Sequence, residues 1–337
     1  TEEDAAVVLS TIDGASEAMP ESEDAAGDVE REDAARTCSE DGFCPSKLPV
    51  GQDLRGVWGD GAGIVWAISG TGDILRWDGA SWSIHQQGSE EGFAIWGSGP
   101  TDIWVSTATS ILRGQGPSSA QLVFTPVADL PGDPSIPIKA IWGTSAADVW
   151  AVGAGETVLV PQKGRVLHYD GSAADGGSGW TLDEELSSRN VAFDGVWGSG
   201  ARGVWVHGRE RDPLTGRLHA RLFRRAPGAT GWATIELPED PYDVHRPFPG
   251  EILAGTVTPA GTVLIGGRTG LPVEGRWHGV SSDDGATYDW TFEHAYATER
   301  AVAALWSAPE GDVWAVGEVG LVARWTGTGW QQARIRA

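Results

Sequence analysis

Tryptophan recurs along the chain in pairs eight residues apart, each set in short apolar runs. The pairs are Trp58/Trp66, Trp96/Trp104, Trp142/Trp150, Trp197/Trp205 and Trp306/Trp314. Each first Trp lies between an apolar residue and a small one, as in Val57-Trp58-Gly59 and Leu305-Trp306-Ser307. A polar turn follows, then Val or Ile, then the second Trp. Short Val/Ile/Leu/Trp runs divided by Gly, Asp, Pro and Ser read as strands separated by turns. In the first and last units a third Trp follows, in Arg76-Trp77-Asp78-Gly79 and Arg324-Trp325-Thr326-Gly327, with a fourth five residues later at Trp82 and Trp330. Each unit thus predicts four strands, and such units repeated along a chain predict the blades of a β-propeller.

A less obvious unit completes the series. Ala254–Gly267 aligns with Ala304–Gly317, with Thr256 and Leu264 in place of the Trp pair, and Arg276-Trp277-His278-Gly279 supplies its third strand. The count is six blades; five with a spacer, or seven with one unrecognised blade, are the alternatives. Insertions at Glu156–Arg165 and Glu210–Leu218 are assigned to hairpins. The eight-spaced Trp residues are expected to be buried between blades, with Trp82 and Trp330 on outer strands. A turn centred on Glu318-Val319 would pair residue 314 with 323 and 312 with 325. Trp314 and Trp325 would then share one face and Arg324 would share the other with Val313.

Charge divides the chain. There are 24 basic and 47 acidic residues, a net charge of −23. Residues 1–37 hold twelve acids, two bases and no aromatic residue. Such a segment cannot bury enough apolar surface to offset chain entropy and predicts a disordered acidic linker. The domain reading is therefore linker 1–37, a short lead-in 38–52 and a propeller over 53–337. A balance this acidic repels phosphate backbones and argues against nucleic acid as a partner. No apolar run has the length of a membrane span. The chain starts at Thr1 without Met, from which we expect a processed form whose export signal has been removed.

The two cysteines, Cys38 and Cys44, stand where the acidic segment ends. Two thiols with no nearby His do not complete a structural zinc site. A short disulfide loop in an exported protein is the simpler reading, with a reactive free pair as the alternative.

The frames Trp96-Gly-Ser-Gly-Pro-Thr-Asp-Ile-Trp104 and Arg76-Trp-Asp-Gly-Ala-Ser-Trp82, with the Cys38–Cys44 segment, resemble the Trp-rich propeller repeats of secreted bacterial proteins, many of them lipoproteins. The resemblance covers roughly residues 38–337 and implies export and a propeller. Locally, Ser281-Ser-Asp283-Asp-Gly285-Ala-Thr287-Tyr-Asp-Trp290 resembles the Asp-box of sialidase-like and sortilin-like propellers, with two extra residues before the Trp. In those families the box is a structural turn between the third and fourth strands, and it carries no implication of sialidase activity here.

Candidate chemistry is sparse. None of the seven His residues falls in a metal-ligand spacing, and Gly59-Asp-Gly-Ala-Gly63 precedes no helix, so no catalytic residue, metal or cofactor is assigned. The recurring cation at the end of the third strand is the one distinctive feature: Arg76, Arg113, Arg276 and Arg324, with Arg224, and His168 in the same slot. Each Arg ties its blade to a neighbouring Trp, or Arg/Trp clefts receive a ligand. The candidate ligand-binding residues are Arg76, Trp77, Arg276, Trp277, Arg324 and Trp325. Three functions compete: a non-catalytic extracellular propeller binding a glycan, a protein-interaction scaffold at the cell surface, and a hydrolase or lyase with its site over the central channel.

Overall fold

The computed structural model describes residues 38–155, 163–172, 178–238, 250–270, 273–295, 301–308 and 311–335. The linker assigned to 1–37 and most of the first insertion, 156–162, lie outside the described residues. The remainder forms six four-stranded antiparallel sheets arranged in a ring, a six-bladed β-propeller. Blades one to six span 54–86, 92–126, 138–182, 192–235, 251–295 and 302–332. Within each sheet the strands follow chain order. The first strands of successive blades from one to six lie against one another and form the inner wall. In blade four the second insertion extends the hairpin between strands Gly203–Arg211 and Leu218–Arg225.

Burial follows from stacking blade on blade. Five apolar cores lie between blades one and two, two and three, three and four, four and five, and five and six. Trp66, Trp104, Trp150 and Trp205 are buried in the first four. Each meets an aromatic residue of the next blade's outer strand or the turn before it. Trp66–Phe124, Trp104–Trp180, Trp150–Trp232 and Trp205–Trp290 have ring centroids 5.5, 5.5, 5.4 and 6.2 Å apart, all edge to face. Edge-to-face geometry sets the positive rim of one ring on the negative face of the other.

In the first four pairs the first Trp interlocks with a glycine of the next blade. A Cβ on Gly97 would lie 2.8 Å from the Trp58 ring, one on Gly143 2.9 Å from Trp96, and one on Gly198 3.1 Å from Trp142. Blade five carries Val257 at that position, and Trp197 instead lies over Gly255, two residues earlier. There it stacks on Trp205 at 5.3 Å and donates Nε1–H to His207 Nδ1 at 3.1 Å.

Two expectations are corrected here. The last hairpin pairs Trp314 with Arg324 and Val313 with Trp325, one residue out of the predicted register. Three residues separate Gly317 from Leu321, and Val319 adopts a left-handed conformation at φ 53°. The odd loop exchanges the faces, so Arg324 lies beside Trp314. The buried-pair expectation holds in full only in blade four, for Trp197 and Trp205; Trp58, Trp96 and Trp142 are half-buried, and in blade six Trp306 is 60% exposed and Trp314 half-buried.

Two consequences are measurable. Trp104→Ala should cost about 3–5 kcal/mol as a large-to-small core change, whereas Trp306→Ala should cost less than about 1 kcal/mol as a surface change; denaturant unfolding of the two variants checks this. His207 is buried and its pKa is pushed down to about 3 by burial, with Arg209 adding to the effect. The unfolded chain therefore binds a proton below pH ~6.5 that the folded chain refuses until about pH 3. Stability contributed by this site is full above pH ~6.5 and declines as pH falls toward 3. His207→Asn, which keeps an acceptor for Trp197, should flatten the pH dependence of the melting temperature across that window.

Candidate functional site

The third-strand cations occupy one register position. Trp66 faces Arg76, Trp104 faces Arg113, Trp150 faces His168, Trp205 faces Arg224 and Trp314 faces Arg324. In blade five the position holds His278, opposite Leu264, while Arg276 pairs with Gly266 two residues away. The alignment of Arg276-Trp277 with Arg76-Trp77 is thus corrected by two residues. Trp277 takes the place that Leu75 holds in blade one, facing Ile265 as Leu75 faces Ala67.

An aspartate two residues before the second Trp completes this arrangement in three blades. Asp102 accepts from Trp104 Nε1 at 3.3 Å and from Arg113 Nε at 2.6 Å. Asp148 binds Trp150 and His168 in the same way at 3.1 and 2.8 Å, and Asp312 accepts from Arg324 Nε at 3.2 Å. Arg113 lies 4.3 Å over Trp104 and donates to Tyr169 Oη of the next blade at 2.9 Å. Burial opposes its charge, yet Asp102 and Tyr169 outweigh that and hold its pKa above the ordinary value. Blade one has Ile64 where these three have Asp, and Arg76 Nε is buried with no hydrogen-bond partner.

The junction between blades five and six differs from the others. Leu264 stands where a Trp fills the other junctions, and the buried residues there are small: Ala254, Ala315 and Ala323 with Val302 and Leu321. An open cleft of about 180 Å³ occupies the space. Blade six walls it with Trp325 and Trp330, ring centroids 5.3 Å apart. Blade five contributes Arg276, His278, Thr291 and Glu293. His278 lies 5.4 Å from Trp325 across the junction. Burial pushes the His278 pKa down against the opposing pull of Glu293, which favours the neutral imidazole at pH 7. Trp277 also borders the cleft, but it is buried and donates Nε1–H to Pro238 O at 2.9 Å.

Of the six candidate ligand residues, the structure brings Arg276, Trp277 and Trp325 together in this cleft. Arg324 is engaged by Asp312, and Arg76 and Trp77 lie in blade one, with Trp77 tilted against Trp82 at 5.8 Å. His278, Glu293, Thr291 and Trp330 join Arg276, Trp277 and Trp325 in the cleft and lie outside the six candidates. The sequence signal for them is the substitution of Leu264 for a repeat Trp, which marks a vacated volume.

The turn over residues 281–288 joins the third and fourth strands of blade five. Asp283 accepts from Thr287 N and Oγ1 at 2.8 and 2.6 Å, and these bonds with that from Ser281 pull its pKa down to about 2. Asp284 pairs with Arg202. Cys38 and Cys44 form a disulfide. Among the described residues no helix is long and apolar enough to cross a membrane.

No family model matches the chain, and no curated protein matches it. Solved structures do. Virginiamycin B lyase from Staphylococcus aureus aligns with a TM-score of 0.58 at 14% identity, over 85% of each chain. A protein from Lactobacillus plantarum reaches 0.59 at 12% identity over 87% of each. YCF48 bound to D1 peptide gives 0.53 at 14% identity, over 85% of this chain and 83% of its own. At these identities the likeness shows the fold alone.

If the cleft is the volume of an absent Trp, Leu264→Trp should be accommodated. Its unfolding free energy should stay within about 1 kcal/mol of the parent, against the roughly 1–3 kcal/mol loss typical of an overpacked core. Thermal and urea unfolding measure the difference.

Proposed function

We propose that the cleft between blades five and six binds a carbohydrate, and that the protein is a non-catalytic binding propeller of the cell exterior. The observation that carries this reading is the pairing of Trp325 and Trp330 with Arg276, His278, Glu293 and Thr291 around one open cleft. Aromatic faces cover the apolar side of a sugar ring while polar groups bond its hydroxyls, the division of labour that small-ligand sites use. A net charge of −23 repels polyanions, so the ligand we propose is a neutral glycan. The Cys38–Cys44 disulfide supports an oxidising compartment, because such bonds persist outside the reducing cytosol. The Trp-rich repeats and their place after an acidic, Cys-terminated segment support export as a surface protein, with a lipid anchor as part of the same proposal. The propellers of similar fold include a lyase and a protein bound to a peptide. Their chemistry does not choose among functions, and the cleft is what favours a sugar.

A glycan array probed with the purified chain tests the reading. Trp325→Ala and Leu264→Trp should each weaken binding of the identified glycan about tenfold or more, the loss expected of a central aromatic anchor. Trp77→Ala in blade one should leave it unchanged. No glycan bound, or binding indifferent to both cleft variants, would sink the proposal.

A further inference from the structure

The junction between blades six and one lacks the contacts that define the others. Among the described residues no buried core cluster joins the two blades. Val57 is 64% exposed, while its counterparts Ile95, Ile141 and Val196 are buried against the preceding blade. Trp306 is exposed as well, and the space beside Gly59 is empty: an added Cβ would find nothing nearer than 3.9 Å. Yet the residues for a closed junction are present. Trp306 and Gly59 repeat the Trp58/Gly97, Trp96/Gly143 and Trp142/Gly198 interlocks. Arg324 and Trp77 repeat the pair made across blades two and three by Arg113 and Tyr169. Trp314 and Trp82 repeat the edge-to-face pairs of the first four junctions.

What stands on Trp314 instead is Phe43. Its ring meets Trp314 edge to face at 6.0 Å and 80°, the geometry of Trp104–Trp180 and Trp150–Trp232. Phe43 belongs to the disulfide loop, which is tied on the blade-six side by Glu40 and Asp41 to Arg334 and on the blade-one side by Ser46 Oγ, which accepts from Trp82 Nε1 at 3.2 Å. The loop thus holds both Trp residues that would otherwise meet.

We propose that residues 38–46 are a displaceable wedge that keeps the ring open between blades six and one. The ring closes when Trp82 replaces Phe43 on Trp314, Trp306 seats over Gly59 and Arg324 reaches Trp77. Among the described residues the wedge meets the blades through one ring contact, one indole hydrogen bond and solvent-exposed bonds to Arg334, against the three contacts encoded for the closed junction. The open state exposes Val57 and Trp306 and the closed state buries them, which makes the lead-in a conformational device acting on the ring.

Hydrogen–deuterium exchange on the full chain tests this, read over strands Leu54–Gly59 and Val302–Ser307. Phe43→Ala removes the wedge contact and should slow exchange in both strands severalfold. Adding Gly59→Leu, which has room in the open ring and none in the closed one, should return exchange to the parent rate. Arg334→Ala loosens the wedge without touching Trp314 and should slow exchange in the same direction. It decides the matter if Phe43→Ala folds poorly. Faster or unchanged exchange on loosening the wedge would show the loop to be a brace and overturn the proposal.

Discussion

Every blade of this propeller has two apolar faces and no way to bury either alone. The constraint is met by a ring of tryptophans that cross from one blade into the next. The first Trp of a pair needs a neighbour without a Cβ, and the second needs an aromatic edge on the following outer strand. Local irregularities are then read out across a junction. Val257, placed where the interlock glycine belongs, deflects Trp197 onto Gly255, and the deflected indole then finds His207 as its acceptor. A substitution in one blade thus sets the hydrogen bonding of another, as close packing requires of an interior with few voids.

The recurring cation follows from the same packing. In blades two and three its side chain lies over the second Trp, Arg113 at 4.3 Å and His168 stacked at 4.0 Å, because the two residues face each other across a strand pair. An aspartate two residues before that Trp neutralises it and accepts from the indole. Where Asp is replaced, partners go missing: Arg76 Nε is buried without one beside Ile64, and Trp205 Nε1 lacks one where Gly203 takes the position. A charge over an aromatic face is worth on the order of 1 kcal/mol when partly desolvated. The motif therefore tunes a junction whose main stabilisation is apolar burial.

The blade number and strand order were legible because Trp spacing survives insertion: residues 58 and 66 and residues 306 and 314 keep the same interval whatever intervenes. Register was not. It hinged on one extra loop residue: Val319 and Gly320 both take positive φ, and the glycine in the sequence does not by itself say whether the loop holds two residues or three. The cleft was half legible. Leu264 stood out as a repeat position without its Trp, but the vacancy becomes a site only because Trp325 and Trp330 of the next blade face it, and that adjacency appears only when blade packs on blade. The open junction was illegible, since nothing in Val57 or Trp306 as residues distinguishes them from buried counterparts.

Both irregular junctions flank blade six. Its core against blade five is built on alanines, and its other side meets a disulfide loop where a neighbouring blade would be expected. Stability is distributed unevenly in such a structure, and the least-packed unit opens first. A ligand seated against Trp325 and Trp330 would also touch Arg276 and His278, and so join blade six to blade five at its weakest contact. Binding energy added there stabilises the state that holds the ligand and no other. The cleft and the open junction are therefore two faces of one loosely held blade: the missing repeat Trp makes room for recognition on one side, and the lead-in loop leaves room for movement on the other.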